Sequence, residues 1–405
     1  MMRMTSFTLA LKSLRHKPLS TTLNLLLMAI GIAMMTFVLS ASKQLEDNAL
    51  RDAQGIDLVV GAKGSPLQLI LSSIFHVDVP TGNIPLATQQ KLAQNRMVKK
   101  VIPLALGDSY QGFRIVGTNP DYIAHYDGEL ASGKMFDAPL QAVFGAQAAL
   151  KTHATLGAAF AGSHGLAPGG EEHKDAPFTV VGILKPTGTV LDRLVLTPVD
   201  SVWRVHEIVQ GIDVNDKEEK AAMDEERELT ALLVQYASPL AAATMPRFIN
   251  SQSDLQAAQP AFESAKLFHM LGVGVDVLRG IAVLVLVSAA LSMFVALYNA
   301  LEERKTDLAI LRTLGAPPRK LLTLLLTEGL LLATAGAVLG WVLGHVAVHL
   351  LGLMLLQGQS MNLSGWIMTP DEAWLAAVAL GVGLLAALLP ALRAYRTAIA
   401  TTLAR

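Results

Sequence analysis

The chain has 405 residues, 52% of them hydrophobic and 16% charged, with a mean hydropathy of +0.44. That is too apolar for a wholly water-soluble protein and too charged for one held in lipid throughout, so several spans plus a soluble part are expected. A formal net charge of −1 gives no basic surplus for nucleic acid, and the absence of cysteine excludes disulfides, thiolate metal sites and cysteine nucleophiles.

Residues 1–18 carry Arg3, Lys12, Arg15 and Lys17 and no acid, with Phe7, Leu9, Leu11 and Leu14 interleaved. This pattern predicts a basic amphipathic helix on the membrane surface. An uncharged run follows, and 19–42 reads as a first span, long enough for about 30 Å of hydrocarbon at about 1.5 Å per residue. The run exceeds the roughly 7–15 residues of a signal-peptide core, so a retained anchor is expected over a cleaved signal.

Residues 43–276 change character, with charges, Gly and Pro throughout. Strands are expected at 56–60, 113–116, 178–184, 193–197 and 231–236, where β-branched and aromatic residues cluster between turn residues. Helices are expected over 88–93 and 141–152, and again from 253 to 275. This predicts an α+β domain outside the cytoplasm. The charge run 213–228 reads as solvated. Asp121 and Asp192 read as turn or cap residues.

The last third is apolar. Spans are expected at 277–300, 321–356 and 373–392, with a short outer loop at 357–372 and a tail at 393–405. The fold class is therefore four transmembrane helices with a large α+β domain inserted between the first and second. Basic residues collect at the N-terminus, at Arg304, Lys305, Arg312, Arg319 and Lys320, and at Arg393, Arg396 and Arg405. The loop 357–372 has no Lys or Arg. The positive-inside rule then puts both termini and 301–320 in the cytoplasm.

Within 301–320, Leu308, Leu311 and Leu314 form an apolar stripe, and Glu303, Arg304, Lys305, Asp307 and Arg312 cover the remainder. A short amphipathic helix is expected, stopped by Gly315 and by Pro317-Pro318. Glu328 is an acid inside the third span, near its cytoplasmic end, where a role in holding neighbouring helices is favoured over transport. His345 and His349 share a helix face at the outer end.

No phosphate-binding G-x-x-x-x-G-K-[ST] occurs, and no Ser/His/Asp pattern points to hydrolysis. The chain is read as non-catalytic. It is also read as without a metal site. The nearest candidates are His164 and His173, which flank a stretch rich in Gly and acids and read as part of a solvated loop. His76 with Asp78 is a fainter version of the same idea.

The segment Glu303-Arg304-Lys305-Thr306-Asp307-Leu308-Ala309-Ile310-Leu311-Arg312-Thr313-Leu314-Gly315-Ala316, followed by Glu328-Gly329-Leu330, resembles the FtsX-like permease domain of MacB- and LolC-type ABC transporters, the type VII fold. Asp307 stands where that family usually has Glu. Residues Ala10 to Lys17 are similar to its basic first helix, Leu389 to Ala394 to its closing element, and Val180 to Gly188 with Asp192 to a strand-turn of its periplasmic domain. The resemblance implies a dimeric inner-membrane permease, as a homo- or heterodimer, in contact with lipid. ATP and Mg would be bound by a separate ATP-binding subunit, and this chain would hold no cofactor.

Glu303, Arg304, Asp307, Leu308, Leu311, Arg312, Leu314 and Gly315 would then couple the permease to that ATPase. Movement of the outer domain would export or extract a lipoprotein, peptide, hydrophobic or metal-linked cargo, alongside a periplasmic adaptor or substrate protein. The alternative is an FtsX-like signalling permease that regulates a periplasmic partner such as a cell-wall hydrolase.

Overall fold

The computed structural model describes residues 6–165, 172–209, 227–303, 313, 317–357 and 363–396. Two compact units divide the chain: a helical unit of Met1–Leu45, Leu271–Leu355 and Asn362–Arg405, and an outer-domain unit of Glu46–Met270 with Leu356–Met361. In chain order the helices are α1 (Ser6–His16), α2 (Pro18–Asp52), α3 (Pro66–Ser73), α4 (Ala87–Ala93), α5 (Pro120–His125), α6 (Ala146–Thr152), α7 (Val199–Val209), α8 (Pro239–Asn250), α9 (Pro260–Glu303), α10 (Pro318–Gln357) and α11 (Glu372–Arg396). The strands are β1 (Leu58–Ala62), β2 (Ile84–Pro85), β3 (Val98–Tyr110), β4 (Phe113–Thr118), β5 (Leu130–Gly133), β6 (Gln141–Phe144), β7 (Ala159–Phe160), β8 (Ser163–His164), β9 (Phe178–Leu184), β10 (Val195–Pro198), β11 (Glu228–Leu229), β12 (Ala231–Tyr236) and β13 (Leu255–Ala258).

Among the described residues, α2, α9, α10 and α11 are long and apolar enough to cross a membrane. Proline opens α2, α9 and α10, where its fixed φ suits the first turn and its missing N–H costs nothing. Before α11, Thr369 and Glu372 form half of a capping box: the Thr369 N–H donates to Glu372 Oε1 at 2.9 Å.

The helices of this unit meet through small residues. Met28 and Ile32 of α2, Leu286, Ala289, Met293 and Leu297 of α9, Leu332 and Ala333 of α10, and Ala379, Ala386 and Ala387 of α11 form its central cluster. Gly336, Gly340 and Gly344 recur every fourth residue and place one face of α10 against the backbone of α2. A Cβ on Gly340 would stand 2.5 Å from the Ala29 carbonyl oxygen, and one on Gly344 would stand 2.9 Å from that of Ala33. Close backbone approach of this kind drives helix association in lipid, where hydrophobicity offers no preference for protein over acyl chain. The α10–α11 contact repeats the device. A Cβ on Gly329 would lie 2.7 Å from Ala387 and 2.9 Å from the Gly383 carbonyl oxygen.

The outer-domain unit is built on an eleven-stranded sheet with path β13-β1-β12-β3-β4-β10-β6-β9-β5, with β7 added on β9 and β8 on β3. The central strands are buried on both faces, and alternation sorts their side chains into two cores. Val59, Ile102, Leu104, Leu106, Ala231 and Leu233 enter one cluster. Leu58, Val60, Ala105, Leu232 and Val234 enter the other. Burial on both faces explains why β1 and β12 read as unbroken apolar runs. A third cluster stacks Phe160 on Phe178 at 5.3 Å, beneath Phe144.

Strands expected from sequence at 56–60, 113–116, 178–184, 193–197 and 231–236 correspond to β1, β4, β9, β10 and β12. Two helical expectations are corrected. Residues 141–144 are the strand β6, and helix α6 starts only after Gly145, whose Cβ would collide with the Leu191 carbonyl oxygen. Residues 255–258 are the strand β13, paired antiparallel with β1, and α9 begins at Pro260. In both places tertiary pairing outweighs local helical preference. The thirteen-residue β3 was not anticipated, because Lys99, Lys100 and Pro103 break its apolar pattern. The charge run 213–228 lies mostly outside the described residues.

Candidate functional site

One end of the helical unit gathers the residues that flank the predicted coupling segment. The Lys17 ammonium, beside the start of α2, forms an ion pair with the Glu303 carboxylate at the end of α9. Arg393 of α11 donates to the Tyr298 hydroxyl at 2.6 Å, and its guanidinium lies over the Tyr298 ring at 5.1 Å. Leu301, Leu321, Leu325 and Ala391 close a small apolar cluster beneath them. The Thr21 hydroxyl donates to the Leu14 carbonyl at 2.8 Å and ties α1 to α2. The basic N-terminal stretch, the end of α9, the start of α10 and the end of α11 therefore share one end of the unit. Of the predicted coupling residues, Glu303 is described; Arg304, Asp307, Leu308, Leu311, Arg312, Leu314 and Gly315 lie outside the described residues.

Glu328 is buried on α10, next to the close Gly329–Gly383 contact. At the other end of the unit, His345 Nε2 and the Trp341 indole N–H reach Glu372 Oε2 at 2.9 and 2.8 Å. Gln44 of α2 exchanges hydrogen bonds with the Ser364 backbone at 2.9 and 3.0 Å. Sequence reasoning paired His345 with His349. The structure instead pairs His345 with Glu372, at the start of α11.

In the outer domain, the structure brings His164 and His173 together and adds a residue that sequence reasoning missed. Asp108 of β3 lies opposite His164 of β8 in the antiparallel register. Asp108 Oδ1 is 3.1 Å from His164 Nδ1 and 3.5 Å from His173 Nε2. The two imidazoles meet edge to face with centroids 4.3 Å apart. Asp108 and His173 are buried, while His164 is half exposed. No local signal marked Asp108, because β3 carries it far upstream of both histidines.

His76 and Asp78 are not brought together. His76 is enclosed, in a left-handed backbone conformation, 3.0 Å from the Tyr122 hydroxyl. Burial, with Arg114 and Arg193 nearby, pushes its imidazole well below its ordinary value. The ring is therefore held neutral against the Tyr122 hydroxyl. Asp78 accepts from the Val79 N–H at 2.7 Å. The polar chain continues inward, where the Tyr126 hydroxyl donates to the Asp52 carbonyl at 2.6 Å and the Asp52 carboxylate pairs with buried Arg193 at 3.0 Å. Asp192 has the turn role expected of it and accepts from the N–H groups of Thr187 and Gly188, both at 2.8 Å.

Two family models cover the chain: the MacB-like periplasmic core domain over residues 21–258 and the FtsX-like permease C-terminal domain over 279–399. The first matches more than half of the sequence, and the chain belongs to the FtsX/MacB-type family of ABC transporter permeases. With four apolar helices, this membership indicates a bacterial inner-membrane protein.

Among curated proteins, the lipoprotein-releasing system transmembrane protein LolC of Neisseria meningitidis serogroup B is 27% identical over 249 residues. That match spans 57% of this chain and 56% of the relative. Among solved structures, the periplasmic region of MacB from Actinobacillus actinomycetemcomitans aligns at TM-score 0.35 and 11% identity, over 54% of this chain and 95% of that one. The extracellular domain of the noncanonic ABC-type transporter YknZ from Gram-positive bacteria aligns at TM-score 0.31 and 15% identity, over 50% of this chain and 99% of that one.

Proposed function

We propose that this permease is the non-catalytic transmembrane subunit of a dimeric ABC assembly and that the segment 301–320 docks into a separate ATP-binding subunit. ATP and Mg are held by that subunit. Closure of the ATPase pushes the segment, and the helical unit relays the motion to the outer domain, a mechanotransmission cycle. The work exports or extracts a lipoprotein, peptide, hydrophobic or metal-linked cargo. Both termini and the segment face the cytoplasm.

The observation that carries this reading is the gathering of anchors around the segment: the Lys17–Glu303 ion pair, the Arg393–Tyr298 contact and the Leu301–Leu321–Leu325–Ala391 cluster. They fix the helix ends from which the segment departs and to which it returns. A push on it then acts on a braced set of helices rather than on a free loop. An apolar stripe of Leu308, Leu311 and Leu314 suits a groove in the partner, and the surrounding charges set orientation.

The test is ATP hydrolysis by the permease reconstituted with the ATP-binding subunit that co-purifies with it, in wild type and in Leu311→Asp. A charge in the stripe is expected to release the ATPase and abolish permease-dependent turnover while the permease keeps its thermal unfolding profile. An ATPase that stays bound and coupled to the variant, or a permease that co-purifies with none, overturns the proposal.

A further inference from the structure

We propose that Asp108, His164 and His173 form a binding site for a zinc-class divalent transition-metal ion in the outer domain. The donor set is two imidazole nitrogens and one carboxylate oxygen, and these atoms all lie within 4.8 Å of one another. Two ligands held about 2.0–2.1 Å from a tetrahedral zinc stand about 3.3–3.4 Å apart. The Asp108 Oδ1 separations of 3.1 Å to His164 Nδ1 and 3.5 Å to His173 Nε2 bracket that spacing.

A plain His–Asp contact is the competing account, and one detail weighs against it. Asp108 Oδ1 is buried and accepts no hydrogen bond among the described residues, although both ring nitrogens stand within ion-pair range. The nitrogens converge on the oxygen without the alignment of a donated proton, as ligands around a shared ion do. A carboxylate buried in this way is costly unless a cation meets it.

The backbone holds the donors in place before any ion arrives. Asp108 and His164 are register partners across β3 and β8. The Gly165 N–H donates to the Gly107 carbonyl at 3.0 Å, and the His173 N–H donates to the Gly162 carbonyl at 2.9 Å. Glu172, the neighbour of His173, bridges to Ser163. Three ligands among the described residues leave a fourth position for water or for another donor group, and His164 is the half-exposed member of the set. Imidazole with carboxylate favours zinc and its neighbours over magnesium or calcium. Once bound, the ion would staple the His164–His173 stretch to the edge of β3.

The test uses the full chain, purified in detergent and stripped with a chelator. Zinc ion is titrated by calorimetry into wild type, His164→Ala, His173→Gln and Asp108→Asn, with magnesium as the control ion. Wild type is expected to take up one equivalent of zinc and to unfold at a higher temperature with it. Each variant is expected to bind at least about tenfold more weakly and to lose the thermal shift. Cobalt(II) bound to wild type should show the intense visible bands of a tetrahedral site, and His164→Ala should lose them. Because His164 is half exposed, its variant keeps the test valid if the buried positions fail to fold. Absence of zinc uptake by wild type, or equal uptake by a His164→Ala/His173→Gln double variant, overturns the proposal.

Discussion

His76 shows how a single enclosed side chain makes the outer domain sensitive to pH. Its ring is buried against the Tyr122 hydroxyl, and its imidazole titrates well below the ordinary value. In the unfolded chain it takes up a proton near pH 6.5, whereas in the folded chain it does so only at lower pH. The unfolded state therefore binds more protons in that window, and the favourable contribution, complete above about pH 6.5, is lost as the pH falls towards the folded value. The slope from this residue reaches about 1.4 kcal/mol per pH unit. His76→Asn is the informative variant, because Asn tolerates the left-handed backbone at φ 55°. Chemical unfolding between pH 8 and pH 5 should show wild type losing more stability on acidification than His76→Asn. Parallel slopes would assign the pH dependence to other groups that titrate in this window, such as Asp52, which burial pushes up to about 6.

At the scale of elements, glycine spacing controls how closely the spans approach. The row Gly336, Gly340 and Gly344 brings α10 against backbone carbonyls of α2, and a Cβ at Gly340 would also stand 2.8 Å from Ile32. Gly340→Leu should therefore lower stability in detergent by about 1–3 kcal/mol, the usual cost of overpacking, or more if the two helices separate. Gly381→Ala is the control, since nothing lies within 4 Å of its added methyl. It is expected to be neutral or to stabilise by up to about 1 kcal/mol through helix propensity. Thermal unfolding of both variants checks the contrast. Equal effects would mean that helix propensity, not close approach, governs the site.

At the scale of the whole molecule, the expected orientation is open to a direct measurement because the chain has no cysteine. Lys12→Cys and Arg405→Cys report the two termini, and Lys151→Cys reports an exposed position on α6. A membrane-impermeant thiol reagent should label Lys151→Cys in intact spheroplasts and should reach the other two only after the membrane is opened. Labelling of either terminus in sealed spheroplasts would reverse the orientation and remove the cytoplasmic docking segment from the proposed cycle. Lys17, Glu303, Tyr298 and Arg393 gather at one end of the helical unit, and the labelling reads which side of the membrane that end faces.

Sequence by itself determined the class of this protein, the four spans, the inserted α+β domain and five of its strands, because span length and strand alternation are local properties of the chain. It also marked the segment 301–320, through an apolar stripe bounded by charges and stopped by Gly and Pro. Tertiary structure alone decided that 141–144 and 255–258 are strands, since pairing with distant partners settled them. It alone revealed β3, hidden by two lysines and a proline, and the function of the glycine row, which means nothing until α2 lies against it. The same holds for the outer-domain cluster. His164 and His173 are visible in the sequence, but Asp108 joins them only because β8 pairs with β3, and such register is set by packing across the sheet rather than by any spacing along the chain.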